Sequence, residues 1–143
     1  MKHSMKFALA ALLAGAAFSA PAAAQSRRVQ LQGELVDTWC SVTGIMFAQG
    51  TAHHQCAVWC AVGGIPVSIK DKDGQYYMVL KVEDDDQSVA NPRLVTIQTH
   101  QVTVDGELIA RDGVNYLFVS KVADDAGIVD LTHEENGITP FGN

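Results

Sequence analysis

Residues 94–122 read LVTIQTHQVTVDGELIARDGVNYLFVSKV, and this stretch decides the fold class. It is rich in β-branched and aromatic residues and contains two Asp-Gly pairs, at 105–106 and 112–113, which are typical of hairpin turns. We therefore expect three strands here, over residues 94–104, 108–111 and 114–122.

The sequence upstream of this stretch also has the pattern of strands. Apolar and polar residues alternate over 29–37, and residues 66–70 and 75–82 flank the hairpin signal DKDG at 71–74. Five to six short strands separated by such turns predict a mainly β protein, namely a small OB-like barrel or a sandwich.

One short helix is expected to interrupt this β pattern. Residues 52–62 contain neither Pro nor Gly and are followed by Gly63-Gly64, which predicts a helix with a glycine cap. Residues 41–51 are expected to form a loop ahead of it. The helix matters for function because it carries most of the residues with metal-binding chemistry.

Length and charge narrow the possible functions. The chain has 143 residues, enough for one modest core, and its formal charge of −6 argues against a nucleic-acid partner, which needs a basic face.

Residues 1–24 have the charged start, short apolar run and small-residue end of a secretory signal peptide. We expect a β-rich Cys/His domain over 25–122 and a C-terminal tail over 123–143.

The signal peptide predicts that the mature protein is periplasmic or secreted. Its apolar run is too short to span a bilayer, where about 20 residues are needed. No later segment of the sequence is suited to crossing a membrane either, so we do not expect an integral membrane protein.

All three cysteines lie between positions 40 and 60. On a helix, His53, Cys56 and Cys60 share one face, because residues three, four and seven positions apart recur on the same side. Cys40, at the end of the preceding strand, would add a fourth ligand. Thiolates together with an imidazole are the donors of a soft-metal site, so these four residues are predicted to bind copper(I) or zinc.

Several neighbours of these four residues have weaker predicted roles. His54 lies about a quarter turn away on the helix, and the thioether of Met46 would suit copper better than zinc. Asp37 is expected either to orient a ligand histidine or to cap the start of the loop. Trp39 and Trp59 each precede a cysteine, and packing in the core is the expected role of both, with shielding of a soft cation as the alternative.

Two other functions remain open on the sequence. Exported proteins form disulfides, so Cys40 paired with Cys56 or Cys60 would give a stapled interaction domain without a metal. The second open function is that of a thiol–disulfide redox protein. The C-x-x-x-C spacing of Cys56 and Cys60 differs, however, from the C-x-x-C of thioredoxin-like proteins. The sequence contains no other catalytic motif, so we expect a binding protein rather than an enzyme.

The cysteine motif resembles that of a group of small exported bacterial proteins. The stretches DTWC at 37–40, HHQCAVWC at 53–60 and GIP at 64–66 match their D-x-x-C, H-x-x-C-A-x-x-C and G-x-P pattern. The resemblance implies that the motif acts as one unit in a protein with a β-rich C-terminal half, and it assigns no activity. The expected partners are the metal ion and, for its transfer, a periplasmic or membrane metalloprotein.

Overall fold

The computed structural model describes residues 25–45 and 48–131. The expected signal peptide over 1–24, Met46 and the last part of the tail, residues 132–143, lie outside the described residues. The elements follow in the order β1 (Gln25–Asp37), α1 (Thr38–Thr43), α2 (Gly50–Val62), β2 (Val67–Lys70), β3 (Tyr76–Val82), α3 (Pro92–Thr96), β4 (Gln101–Arg111) and β5 (Val114–Asp125).

The five strands close into a barrel in the order β1-β2-β3-β5-β4, with β4 pairing back to β1. Neighbouring strands are antiparallel except β3 and β5, which run parallel. Strand β1 is long enough to serve two neighbours: it pairs with β4 up to Glu34 and with β2 from Glu34 to Asp37. A closed five-stranded barrel confirms the predicted mainly β, OB-like fold.

The interior of the barrel is filled by aliphatic side chains, because alternate residues of each strand point inward. Leu35, Ile69 and Leu117, on three different strands, are each at most 1% exposed. Ala61 belongs to the same cluster, so helix α2 packs directly on the barrel. The cluster comprises Leu35, Ala61, Val67, Ile69, Val79, Val82, Leu94, Ile97, Val102, Val104, Leu117 and Val119.

Only one of the two Asp-Gly pairs forms a turn. Asp112 and Gly113 have φ values of 52° and 81° and connect β4 to β5, as expected of a hairpin. The expected turn at 105–106 is wrong, because both residues lie inside β4 beside a shift in its register with β5. A Cβ atom on Gly106 would lie 2.5 Å from the carbonyl oxygen of Phe118, so this glycine allows the two strands to approach closely.

The strand expected over 94–104 begins only at Gln101. Residues before it form helix α3, since the Asn91 side chain caps the N–H groups of Arg93 and Leu94, and Pro92 occupies the first turn. This local capping overrides the strand preference of the β-branched residues that follow. None of the helices in the described part of the chain is long and apolar enough to cross a membrane.

Candidate metal centre

Asp37 joins strand β1 to helix α1 and positions Cys40. Its Oδ1 accepts a hydrogen bond from the backbone N–H of Cys40 at 2.9 Å, which caps the helix. The helix ends at Gly44, whose φ of 71° suits glycine and whose N–H donates to the carbonyl of Cys40. Helix α1 thus replaces the first part of the loop expected over 41–51, and it leaves Cys40 only 2% exposed.

Helix α2 presents the remaining motif residues and begins at Gly50, two positions before the expected start. The backbone N–H of Gly50 donates to Oε1 of Glu34 at 2.7 Å, and that of Thr51 donates to the carbonyl of Asp130 at 3.0 Å. These bonds satisfy donors that the first helical turn leaves free. The motif is therefore carried by two helices, α1 and α2, rather than by the single short helix that was expected.

The three thiols meet between α1 and α2. The Sγ atoms of Cys40, Cys56 and Cys60 all lie within 4.8 Å of one another, and none of the three is in a disulfide. Three sulfurs bound to one metal at 2.3 Å lie about 3.8–4.0 Å apart, so the cluster would need to contract by at most about 1 Å. Cys56 and Cys60 are half-buried, which leaves the cluster at the edge of the protein.

His53 lies beside this cluster and is completely buried. Its Nε2 is 2.6 Å from Oδ2 of Asp37, and donor atoms of His53, Asp37 and Cys40 lie within 4.8 Å of one another. A carboxylate only accepts, so Nε2 donates its proton, and the lone pair of a neutral His53 is on Nδ1. No described residue hydrogen-bonds to this buried Nδ1. A histidine held by a carboxylate, with its other nitrogen free, has the usual arrangement of a metal ligand.

Asp37 therefore fills both structural roles that the sequence offered for it. One carboxylate oxygen caps α1 and the other holds His53. Burial alone would raise the pKa of this carboxyl group, but the hydrogen bonds from His53 and Cys40 outweigh it and hold the pKa below its usual value. The carboxylate is thus charged at neutral pH.

The surroundings of the thiols keep two of them protonated. Burial raises the pKa of Cys40 to about 12, and the hydrogen bond to Asp37 adds to this effect. Burial also raises the pKa of Cys60, with a further contribution from the charge of Asp37. Since only thiolates bind metals strongly, a metal would have to displace both protons to bind here.

The chain segment that carries the three thiols has no acidic or basic side chain apart from histidines. Residues 38–69 contain no Asp, Glu, Lys or Arg. Trp39 is 56% exposed and Trp59 is 71% exposed, so the expected packing of these side chains in the core is wrong. Both indoles are therefore exposed at positions directly before Cys40 and Cys60 in the chain.

His54 lies apart from the thiols, although it was a weaker candidate for the same site. Its Nδ1 is 3.1 Å from the carbonyl oxygen of Gln98 and 2.9 Å from Oγ1 of Thr99, so it ties α2 to the segment between α3 and β4. Met46 is outside the described residues. The contact between Glu34 and the start of α2 could not be predicted from the sequence. An alternating strand pattern does not show which outward carboxylate will meet the start of a helix.

The structure thus brings Cys40, His53, Cys56 and Cys60 close together, as a possible metal site. No family model matches this chain, and no curated protein or solved structure matches it either. The chemistry of the donor atoms is therefore the basis for assigning a function.

Proposed function

We propose that this protein binds one soft metal ion, copper(I) or zinc, through the thiolates of Cys40, Cys56 and Cys60, with His53 as the fourth donor. The observation that carries the proposal is the mutual approach of the three Sγ atoms within 4.8 Å. Thiolate sulfur is the donor that copper(I) and zinc favour over hard cations. The half-buried position of Cys56 and Cys60 would let a metal enter and leave by ligand exchange.

Zinc and copper(I) differ in whether they would need His53 as a ligand. Three thiolates together with the imidazole of His53 would form a Cys₃His set, which suits tetrahedral zinc. His53 already lies within 4.8 Å of the Cys40 donor atom, and its ring would have to approach Cys56 and Cys60 to complete this set. Three thiolates without the imidazole suit copper(I), for which soft sulfur ligands alone are sufficient. In the second case His53 would orient Asp37 and the start of α1 instead of binding the metal.

The same closeness of the sulfurs favours a second candidate, a disulfide between two of the three cysteines. It would make the protein a stapled interaction domain or a thiol–disulfide redox protein. The raised pKa values of Cys40 and Cys60 speak against either of these two as a redox nucleophile, because reactive cysteines have lowered pKa values. We therefore place metal binding first.

The test combines metal analysis with a count of free thiols. Protein purified without chelators or a His-tag is expected to hold one copper or zinc per chain with all three cysteines reduced. In anaerobic titrations against a chromophoric copper(I) or zinc chelator, Cys56→Ser is expected to lose stoichiometric binding. Gln55→Ser, a change at the exposed neighbouring position of α2, should bind as the wild type does.

Two results would contradict the proposal. One is stoichiometric binding that survives in Cys56→Ser. The other is metal-free protein with two cysteines oxidised, which cannot be loaded after reduction. The His53→Gln variant then identifies the ligand set: a large loss of zinc affinity with copper(I) affinity retained indicates the Cys₃His site, and unchanged affinity for both metals removes His53 from it.

A further inference from the structure

A second pair of histidines lies outside the thiol cluster. The rings of His54 and His100 are nearly parallel, with an angle of 23° between their planes and 6.5 Å between their centroids. His54 belongs to α2 and His100 directly precedes β4, so their proximity has no signal in the sequence. Both side chains are partly exposed.

The hydrogen bonds of His54 determine which ring nitrogen carries its proton. The carbonyl of Gln98 can only accept, and it already accepts the hydroxyl proton of Thr99 at 2.6 Å. The Thr99 oxygen is then an acceptor as well, so Nδ1 of His54 must be the donor to both groups. The lone pair of a neutral His54 is therefore on Nε2.

His100 is arranged in the same way. Its Nδ1 lies 2.7 Å from Oδ1 of Asp125, and since a carboxylate only accepts, Nδ1 donates. Asp125 is itself fixed by the backbone N–H of Gly127, which donates to the same oxygen at 3.1 Å. No described residue hydrogen-bonds to Nε2 of either histidine.

Each ring thus has the partner that orients a metal-binding histidine, a carbonyl for His54 and a carboxylate for His100. A metal held at 2.0–2.1 Å by one imidazole lies about 3.2 Å from the ring centroid, so two imidazoles on one ion have centroids at most about 6.4 Å apart. The observed 6.5 Å lies just beyond this limit, which holds for two imidazoles on opposite sides of the ion. A tetrahedral ion needs centroids about 5.2 Å apart, so the rings must approach each other by about 1.3 Å when the ion binds.

We propose that Nε2 of His54 and Nε2 of His100 form a second, weaker site for a borderline divalent cation such as zinc or copper(II), with water as the remaining ligands. Imidazole nitrogen suits these cations. Asp125 is a positioning residue, because it acts on the metal only through His100. The site does not depend on the thiol cluster, and its helix also carries Cys56, so a cation bound here would lie on the element that presents the thiols.

The test uses wild-type protein labelled with ¹⁵N-histidine, so that each ring nitrogen is observed separately by NMR during a zinc titration. The Nε2 signals of His54 and His100 are expected to shift together, with one common midpoint. His100→Gln should weaken the response at His54 at least tenfold, and Asp125→Asn should weaken both responses roughly 10- to 100-fold. His133→Gln, the matched histidine control, should leave the midpoint unchanged.

Separate midpoints for the two rings, or a response at His54 that persists in His100→Gln, would overturn the proposal. So would a midpoint no lower than that of His133 in the same titration. Labelling the same protein with ¹³C-cysteine as well lets the cysteine Cβ signals report the thiol site, which keeps failure of this site distinct from failure of the proposed function. The ring signals of buried His53 show whether each variant is folded.

Discussion

The Nε2 atom of His53 lies 2.6 Å from Oδ2 of Asp37, and both side chains are completely buried. This bond connects α2 to the end of β1 across 16 positions of sequence. Because the other oxygen of the same carboxylate caps α1, one side chain fixes the relative placement of the two helices that carry the cysteines. The geometry of the thiol cluster therefore depends on a residue that contributes no sulfur.

We expect Asp37→Ala to be strongly destabilising in the metal-free protein. It removes the cap of α1 and leaves His53 buried without a partner, and breaking one partner of a buried pair costs about 3–5 kcal/mol. Urea unfolding at pH 7 measures the free energy. Asp73→Ala, which removes an exposed ion pair with Lys72, should change it little. Equal effects of the two variants would show that the buried bond does not stabilise the fold.

Metal affinity is expected to rise steeply with pH. The raised pKa values of Cys40 and Cys60 keep both thiols protonated at neutral pH, so a metal must release at least two protons. The apparent association constant should then increase at least about 100-fold per pH unit between pH 6 and 8. Competition titrations at several pH values give the slope directly. A slope of one or less would mean that Cys40 or Cys60 is not a ligand.

The sequence predicts the barrel and the thiol face well because both depend on local periodicity. Alternation identifies the strands, and helical spacing places Cys56 and Cys60 on one side of α2. The errors come from information that is not local. The same Asp-Gly pair forms a turn at 112–113 and lies inside a strand at 105–106. The difference at 105–106 is the close approach of Phe118 on the neighbouring strand, which the local sequence does not show.

Prediction of the candidate metal site from the sequence is also limited to local information. The D-x-x-C spacing was enough to give Asp37 two alternative roles, and the structure shows that it has both, because each carboxylate oxygen takes a different partner. The pairing of His54 with His100 had no sequence signal, since it depends on how α2 packs near the start of β4. Packing of Trp39 and Trp59 in the core is the expectation from residue type, and residue type carries no information on which apolar side chains stay exposed.

Stability should fall between about pH 4.5 and pH 7 through Glu34. Burial is the main cause that raises the pKa of Glu34 to about 7, and Asp130 adds to it, while the Gly50 N–H, Lys70 and His53 act in the opposite direction. In this range the folded state holds a proton that the unfolded state has released, so stability decreases as the pH rises.

Replacing this carboxyl group by an amide should remove that pH dependence. Glu34→Gln keeps an acceptor for Gly50 and is expected to exceed the wild type in stability at pH 8, by no more than about 3 kcal/mol, with no difference at pH 4. Thermal unfolding across this pH range measures the effect. Glu107→Gln, at an exposed position of β4, should follow the wild-type curve. A parallel curve for Glu34→Gln would assign the pH dependence to other groups.

The contact between the C-terminal segment and α2 can be measured with two glycines of similar backbone conformation. Gly50 has a φ of 61°, and a Cβ atom there would lie 2.2 Å from the carbonyl oxygen of Asp130. Gly44 has a φ of 71° and nothing within 4 Å of the same position. Alanine at Gly44 thus measures the backbone cost alone, about 1–2 kcal/mol, while alanine at Gly50 must also displace Asp130.

Displacement of Asp130 breaks the hydrogen bonds that it accepts from the N–H of Thr51 and the side chain of Gln49. We therefore expect Gly50→Ala to cost at least about 1 kcal/mol more than Gly44→Ala in urea unfolding. Amide exchange should accelerate in the first turn of α2 in the first variant only. Because α2 carries Cys56 and Cys60, metal affinity should also fall in that variant, since the thiols would no longer be held against Cys40. Equal unfolding free energies for the two variants would show that the segment around Asp130 rests on α2 without stabilising it.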